Sequence, residues 1–245
     1  IINGDDENCQ ILHVNNLIKF GFNDDNDYVI SDFVEDKNGV KFKIRHNDSI
    51  YDISSQLFGR YNAYNITLAF IIGLLNNIDA ETLISRIKDI SFITGRGERL
   101  NFGQKFEIIL DYAHTYNAIL NLLNSVKGKY KRVITVTGAA GGREKEKRSK
   151  IGKMVLEKSD LVIFTMDDPR WESVDDIIDD MIGECKNTNY ERINDRVEAI
   201  SHAFDIANEG DAVLVIGKGR DDYMALGTEK IPYCDYDVIR NYFDK

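Results

Sequence analysis

The stretch FEIILDYAHT, residues 106–115, places an acid, a phenol and an imidazole directly after the mostly apolar run Phe106–Leu110. Such a run is typical of a strand buried on both faces of a parallel sheet. A strand that only turned into a helix would need no more than a cap, which Thr115 could supply. Asp111 could hold the turn, or it could belong to a site at the end of the strand. These residues alone leave both interpretations open.

Strand-like and helix-like segments alternate on either side of this stretch. Between the strands, apolar residues recur at the spacing of amphipathic helices. The alternation predicts an α/β fold with a Rossmann-like, mostly parallel sheet covered by helices on both faces. The predicted strands are Phe106–Leu110, Val133–Thr137, Leu161–Thr165 and Ala212–Ile216.

The pattern before residue 94 is different. Residues 28–45 predict a β-hairpin, because Val40, Phe42 and Ile44 alternate with charged residues. A buried helix is expected over Asn62–Asn77, and a shorter one from Ala80. The Gly-rich, charged stretch TGRGERLNFGQ, residues 94–104, separates this part from the β/α alternation. The sequence therefore predicts two domains, residues 1–93 and 94–245.

Composition excludes several classes of protein. The 245 residues are 43% hydrophobic and 29% charged, which is typical of a folded domain. A net charge of −10 argues against a nucleic-acid-binding surface. The longest apolar stretch, Ile66–Leu75, is too short to span a membrane. The 3 cysteines predict neither disulfides nor a zinc site. No signal peptide is recognisable, so a cytoplasmic location is expected. The first residue is Ile1, and this non-Met opening predicts a fragment.

An unusual polar sequence follows each of the four predicted strands. In an open α/β sheet the carboxyl ends of the strands form the ligand-binding edge, so these segments should converge. Each also has a simpler interpretation as a turn, a loop or, over residues 143–153, a solvated helix face. If the segments were only independent turns, their charged residues would not be expected at one edge of the sheet. The expected convergence of Arg143, Arg170, Lys218 and Asp221 therefore favours a binding site. The four segments are DYAH (111–114), GAAGGREKEKR (138–148), MDDPR (166–170) and GKGRDD (217–222).

Several common catalytic signatures are absent from the sequence. No Gly-rich stretch ends in the Gly-Lys-Ser/Thr of a phosphate-binding P-loop. There is also no Gly-x-Ser-x-Gly elbow, no HExxH motif and no convincing dinucleotide fingerprint. The polar segments therefore need a different explanation.

Taken in order, the motifs resemble those of the Mur ligase family, and within it the members that add the third amino acid to the cell-wall precursor. The resemblance extends over essentially the whole chain. It implies the tail of an α/β central ATPase domain followed by a Rossmann-like amino-acid-binding domain. The motifs are INGDD (2–6), GRYNAYN (59–65), GRGE (95–98), DYAHT (111–115), GGREKEKR (141–148), DDPR (167–170) and GKGRD (217–221).

The resemblance also implies roles for individual residues. Asn3 would approach the adenine of ATP, and Arg96 and Asp111 would meet its phosphates and ribose. Arg143 would hold the incoming amino acid, and the remaining substrate residues would bind its distal end. The implied nucleotide residues are Asn3, Asn62, Asn65, Arg96, Asp111 and His114, and the implied substrate residues are Arg143, Asp168, Arg170, Gly217, Lys218 and Asp221.

The implied reaction joins an amino acid to UDP-MurNAc-L-Ala-D-Glu through an acyl phosphate, with ATP and Mg²⁺ as cofactors. The implied protein is a monomer that contacts neither membrane nor nucleic acid. The family's phosphate loop and modified lysine would precede Ile2, so no catalytic residue is predicted in this chain, and the chain alone is predicted to be inactive.

Two departures from the family's motifs bear on the choice of amino acid. Asp168 stands where the diaminopimelate-adding members usually have Asn, and Arg220-Asp221 stands where His-Glu is usual. Arg143 and Arg170 could bind a distal carboxylate, and Asp168 or Asp221 a distal ammonium. Lysine has no distal carboxylate, so meso-diaminopimelate or a close analogue is expected. The alternatives are a ligase similar to folylpolyglutamate or cyanophycin synthetase, and a non-catalytic binding module that retains the fold.

Overall fold

The computed structural model describes residues 1–12, 15–36 and 38–244, with only the backbone described at Gln10. Contacts between Cα atoms divide the chain into two compact units, Ile1–Phe92 (unit 1) and Ile93–Lys245 (unit 2). Each unit has its own sheet and its own hydrophobic core. Within the described residues, no helix is both long enough and apolar enough to cross a membrane.

Unit 1 contains a five-stranded sheet whose strands follow one another in chain order. The first three pair in parallel, and the last three form an antiparallel meander. The predicted hairpin is confirmed within this meander, where Val40, Phe42 and Ile44 point into the core. The strands are β1 (Ile2–Asn3), β2 (Lys19–Gly21), β3 (Tyr28–Asp36), β4 (Gly39–His46) and β5 (Ser49–Ser55).

Two α-helices and a short 3₁₀ helix (Glu7–Ile11) complete unit 1. The helices are α1 (Arg60–Leu75) and α2 (Ala80–Asp89). α1 begins two residues earlier than predicted, directly after Gly59, whose φ of +94° favours glycine. It ends before Asn77, which adopts a left-handed conformation with φ +62°.

Unit 2 contains the predicted mostly parallel sheet, which is confirmed. Its six strands are β6 (Glu98–Leu100), β7 (Glu107–Asp111), β8 (Val133–Thr137), β9 (Leu161–Phe164), β10 (Tyr190–Arg192) and β11 (Ala212–Ile216). Their order across the sheet is β10-β9-β8-β11-β7-β6, and only β6 runs antiparallel to its neighbour. β11 therefore separates β7 from β8 and creates a crevice at the carboxyl ends of the strands.

Consecutive residues of β11, Val213, Leu214 and Val215, are all fully buried. Because neighbouring residues of a strand point to opposite faces, both faces of the sheet are covered, as expected for helices on each side. The helices of unit 2 are α3 (Tyr116–Val126), α4 (Glu146–Lys158), α5 (Val174–Ile182), α6 (Arg196–Asp205) and α7 (Asp235–Phe243). A two-stranded hairpin, β12 (Tyr223–Leu226) and β13 (Glu229–Pro232), lies between β11 and α7 in the chain.

The strand that opens the β/α alternation is shifted by one residue from the prediction. Asp111 is the last residue of β7 rather than the first residue after it, because it pairs with Ile216 of β11. Its carbonyl also accepts a hydrogen bond from the amide of Gly217, at 3.1 Å. The backbone ladder therefore fixes the position from which the Asp111 side chain projects.

Candidate functional site

A cavity of about 400 Å³ opens at the carboxyl edge of the unit 2 sheet. All four polar segments that follow the strands contribute to its lining, so their predicted convergence is observed. The predicted residues that line it are His114, Arg143, Asp168, Arg170, Gly217 and Asp221. Its volume lies within the range of small-molecule sites in proteins. The functional roles of these residues remain predictions.

Asp111 stabilises the local backbone. One carboxylate oxygen accepts a hydrogen bond from the amide of Ala113, at 2.6 Å, and the other accepts one from the amide of Gly97. Burial raises the pKa of Asp111, and these two amides and the Arg96 charge oppose that rise. The interpretation that Asp111 holds the turn is thus confirmed. Thr115 caps α3, because its hydroxyl accepts a hydrogen bond from the amide of Ala118.

The nucleotide residues predicted in unit 2 lie near this turn. The Arg96 guanidinium carbon is 5.0 Å from the centre of the Tyr112 ring. The ring of exposed His114 contacts the Tyr112 carbonyl oxygen through Nδ1, at 3.0 Å. Asp111 attaches the Arg96 loop to β7 through Gly97. Arg96, Asp111 and His114 are therefore gathered at the end of one strand.

Lys218 is not among the residues that line the cavity, but it contacts two that are, and only 1% of its side chain is exposed. Its ammonium is 2.8 Å from an Asp168 oxygen and 3.3 Å from an Asp221 oxygen. Burial opposes its charge, but the hydrogen bond to Asp168 and the surrounding carboxylates leave the pKa of Lys218 raised. Asp168 also accepts from the amide of Ala225, at 2.9 Å. Both predicted counter-charges, Asp168 and Asp221, are thus already held by a cation.

Asp167 is a third acid of this cluster, and the sequence analysis assigned it no role. It lines the cavity and is almost completely buried. Burial raises the pKa of Asp167 to about 6, and the charges of Arg196 and Lys218 oppose the rise. Gly217 has φ +114°, and a Cβ atom on it would lie 2.2 Å from an Asp167 oxygen, so glycine is strongly favoured there. The two adjacent acids in MDDPR are the signal that could have identified it.

Arg143 and Arg170 supply the positive side of the cavity. Arg143 is exposed, whereas Arg170 is partly buried and held by its backbone. The Arg170 amide donates to the Ala225 carbonyl at 3.0 Å, and its carbonyl accepts from Gly227 at 2.7 Å. Both Asp168 and Arg170 have left-handed φ angles, +45° and +53°, which turn the chain sharply on either side of Pro169. The DDPR turn is therefore also a constrained structural element.

Glu172 and Arg148 connect the segments that carry the two arginines. Arg148 donates to a Glu172 oxygen at 2.8 Å and to the Ala140 carbonyl at 3.0 Å. Glu172 also accepts from the amide of Gly142. Arg148, followed by the other donors, holds the pKa of Glu172 well below its usual range. The solvated-face interpretation is wrong for Arg148, whose side chain is 2% exposed, because Glu172 and Asp180 pair with it.

The remaining predicted residues lie in unit 1. Asn3 ends β1 and its side chain accepts from the Asp5 amide at 3.1 Å. In the first turns of α1, Asn62 donates to the Phe58 carbonyl at 2.7 Å and Asn65 donates to Asn62 at 3.1 Å. These contacts show local structural roles. They leave the predicted nucleotide roles of the three asparagines as predictions.

The described residues contain no group of three or more His, Cys, Asp or Glu side chains suited to hold a metal ion. Among the carboxylates that line the cavity, Asp168 and Asp221 are paired with Lys218. Those paired carboxylates are poorly suited to be a set of metal ligands. The arrangement favours binding of an organic zwitterion, because carboxylates and guanidinium groups face a common space.

Comparison with known proteins agrees with the resemblance seen in the motifs. The model of the Mur ligase middle domain matches residues 1–73, and that of the Mur ligase glutamate ligase domain matches residues 95–219. A UDP-N-acetylmuramoyl-L-alanyl-D-glutamate–2,6-diaminopimelate ligase from Aquifex aeolicus is 34% identical over 243 residues, 98% of this chain and 50% of the relative. The ligase of the same name from Bacillus cereus is 32% identical over 225 residues, 91% of this chain and 46% of the relative.

Solved structures agree with these relatives. A ligase structure that carries the same enzyme name superposes with a TM-score of 0.65 at 26% identity, over 93% of this chain and 47% of that one. Folylpolyglutamate synthase from Mycobacterium tuberculosis, at 14% identity and TM-score 0.64 over 81% of this chain and 46% of that one, shares the fold. The chain spans about half the length of the curated relatives it matches.

Proposed function

The chain belongs to the Mur ligase family, and we propose that it forms part of an ATP-dependent amide ligase of peptidoglycan precursor synthesis. The proposed reaction adds meso-diaminopimelate, or a close analogue, to UDP-MurNAc-L-Ala-D-Glu in the cytoplasm. We assign residues 1–93 to the central ATP-binding domain and residues 94–245 to the amino-acid-binding domain. The relatives that are named diaminopimelate ligases support this assignment.

The proposal that the substrate is diaminopimelate rests on the distribution of charge in the cavity. Arg143 and Arg170 offer guanidinium groups that suit a carboxylate. Asp167, Asp168 and Asp221 contribute 3 carboxylates against the single ammonium of Lys218, a surplus of negative charge. A distal end that carries both a carboxylate and an ammonium would satisfy both sides. Diaminopimelate has such an end, whereas lysine offers only the ammonium.

In the proposed reaction this chain binds and orients the amino acid. Partly buried Arg170 would hold the distal carboxylate, while exposed Arg143 would hold the carboxylate beside the attacking amine. The Glu172–Arg148 pair keeps the two arginine-bearing segments together. Orientation of this kind can lower a reaction barrier by several kcal/mol, or about 7–11 at the upper end.

ATP would supply the phosphoryl group that activates the D-Glu carboxylate of the other substrate. Within unit 2, Arg96 and His114 offer polar groups beside Tyr112 that fit an anionic ligand. Asp111 supports their loop through two backbone amides. Mg²⁺ does not fit the described residues as a protein-held ion, since they provide no cluster of three ligands. We propose that the protein acts as a monomer, because one unit of one chain builds the cavity.

Calorimetric titration of the 245-residue chain with meso-diaminopimelate and with lysine tests the substrate assignment. We expect saturable binding of meso-diaminopimelate and binding of lysine at least about tenfold weaker, a difference of about 1.4 kcal/mol. Arg240→Ala serves as a control, because Arg240 of α7 pairs with Asp237 and Asp244 and does not line the cavity. Equal affinity for the two amino acids would remove the support for diaminopimelate.

A further inference from the structure

Arg220 is a charged residue of the GKGRDD loop that does not line the cavity. Its guanidinium points toward β6 and forms a two-pronged contact with the carboxylate of Glu98. Nε donates to one Glu98 oxygen at 3.0 Å, and a terminal nitrogen donates to the other. Glu98 is 4% exposed, so loss of Arg220 would leave a buried carboxylate without its cationic partner.

The same Glu98 carboxylate holds the loop that carries Arg96. The oxygen that accepts from Arg220 Nε also accepts from the amide of Gly95, at 2.8 Å. Gly95 packs directly on Arg220, because a Cβ atom added to it would lie 3.3 Å from Arg220 Cγ. The Gly95 carbonyl in turn accepts from the amide of Tyr112, at 2.9 Å.

Arg220 is itself held from a third side. Its guanidinium carbon lies 3.4 Å from the centre of the Tyr236 ring on α7. Such a stacked arrangement restricts the guanidinium to one plane, which is also the plane of the Glu98 contact. Arg220 therefore links three elements: the Gly95–Glu98 loop, the Gly217–Asp221 loop and α7.

We propose that Arg220 is a positioning residue that, through Glu98, fixes the loop of Arg96 relative to the loop of Lys218 and Asp221. Its consequence for catalysis rests on the proposed function, in which the first loop meets the nucleotide and the second meets the amino acid. An amide bond forms only when the activated carboxylate and the amine are held at reacting distance. A shift of about 1 Å between such groups can reduce the rate about a hundredfold.

Amide hydrogen exchange on the 245-residue chain tests the structural part without any ligand. In Arg220→Gln we expect exchange at Gly95 to be faster by about tenfold or more, with β11 amides such as that of Leu214 unchanged. Arg220→Lys keeps a charge opposite Glu98 and should fold even if the Gln variant does not, and it should show a smaller increase. Arg240→Gln, whose guanidinium lies 5.9 Å from the same Tyr236 ring, is the matched control and should match wild type.

Unchanged Gly95 exchange in folded Arg220→Lys and in any folded Arg220→Gln would overturn the positioning role. So would an increase of the same size in Arg240→Gln. This outcome does not depend on the substrate, so it is separate from a failure of the proposed function. The latter would appear as absence of ligation by the whole wild-type ligase, assayed with meso-diaminopimelate.

Kinetics of the whole protein test the consequence for the reaction. We expect Arg220→Gln to lower kcat about tenfold while KM for diaminopimelate changes less than about twofold, with partial recovery in Arg220→Lys. Loss of folded protein would also lower the apparent kcat at constant KM, so kcat is expressed per folded protein, with the folded fraction of each variant taken from its circular dichroism; the fall must remain after that correction. A rise in KM for the amino acid alone would contradict the proposal, because Arg220 would then act on the amino acid directly.

Discussion

Two of the buried cations of unit 2, Arg196 and Lys218, differ in what surrounds them. Arg196 and Asp235 are both 0% exposed and form a closed pair, with two contacts of 2.8 Å. Arg196 also donates to the carbonyls of Met166 and Ile216, the residues that precede Asp167 and Gly217. Lys218, in contrast, is surrounded by more carboxylates than it can neutralise, and those carboxylates face the cavity.

This difference indicates that Arg196 has a structural role, whereas the Lys218 cluster is suited to recognise a ligand. The Arg196 pair is balanced within the protein and stabilises the ends of β9 and β11. The Lys218 cluster retains a surplus of negative charge that an external ammonium could neutralise. Mutations at the two sites should therefore have different consequences, which the following predictions specify.

The largest effect is expected from Arg196→Met. Among the described residues, the variant leaves the completely buried Asp235 with the Tyr233 hydroxyl, 2.7 Å away, as its remaining side-chain hydrogen-bond partner. Breaking a buried pair in this way costs about 3–5 kcal/mol of unfolding free energy. Urea denaturation measures the change, and the double variant Arg196→Met, Asp235→Leu should recover part of it. A loss below about 1 kcal/mol would contradict the structural role.

A smaller effect is expected from Asp167→Asn, and it should depend on pH. The pKa of Asp167 is about 6 in the folded state against 3.8 as the reference, so the folded protein holds the proton more tightly. Wild-type stability therefore decreases as pH rises from about 4 to 6 and is then constant with respect to this group. Asp167→Asn removes that penalty, which amounts to about 3 kcal/mol at most.

Thermal unfolding of wild type and Asp167→Asn between pH 4 and pH 8 measures this dependence. The variant should gain stability over wild type as pH rises through that interval, with little difference at the acidic end. Asp25→Asn, which changes an exposed acid of unit 1, is a control for general effects of charge removal. A difference that is constant with pH would show that burial does not disfavour ionised Asp167.

The smallest effect on stability is expected from Lys218→Gln. Asp168 and Asp221 are partly exposed, 14% and 31%, so water can compensate for the lost ammonium. We expect a loss of about 1–2 kcal/mol, in contrast to Arg196→Met. The preference between the two amino acids should also change, because removal of the Lys218 ammonium makes the cluster more negative. The affinity ratio of lysine to diaminopimelate should rise about tenfold, measured by calorimetry. An unchanged ratio would contradict the recognition role of the cluster.

The sequence predicted the strands and the convergence of their polar ends, because both follow from local hydrophobic pattern and parallel topology. It did not predict that Asp111 would bond to the amide of Gly97, which lies 14 positions away. The Arg148–Glu172 contact spans 24 positions, and the charge pattern around Arg148 had indicated a solvated face. Long-range pairing of this kind depends on how loops pack, which local periodicity does not encode.

The environment of Asp167 likewise could not be predicted from the local sequence. The motif DDPR identified two acids, but only their positions relative to the sheet separate a buried acid from one paired with Lys218. Arg220 is a further case, since its partner Glu98 is 122 positions away. The departures from the family's motif at residues 220 and 221 were visible in the sequence, whereas their different contacts required the fold.

The central claim is that Arg170 binds the distal carboxylate of the amino acid. Arg170 is partly buried and lines the cavity together with Arg143 and Asp221. Loss of a charge-assisted contact of this kind costs about 2–5 kcal/mol, roughly thirty- to several-thousand-fold in kcat/KM. Lysine lacks the distal carboxylate, so its use should change little or improve.

The most direct measurement compares kcat/KM for meso-diaminopimelate and for lysine in the whole protein, as wild type and as Arg170→Ala. Arg240→Ala provides a control for loss of a guanidinium on the surface of α7. We predict a large decrease for diaminopimelate alone. An equal decrease for both amino acids, or no change for either, would contradict the role of Arg170 and with it the proposed basis of substrate selection.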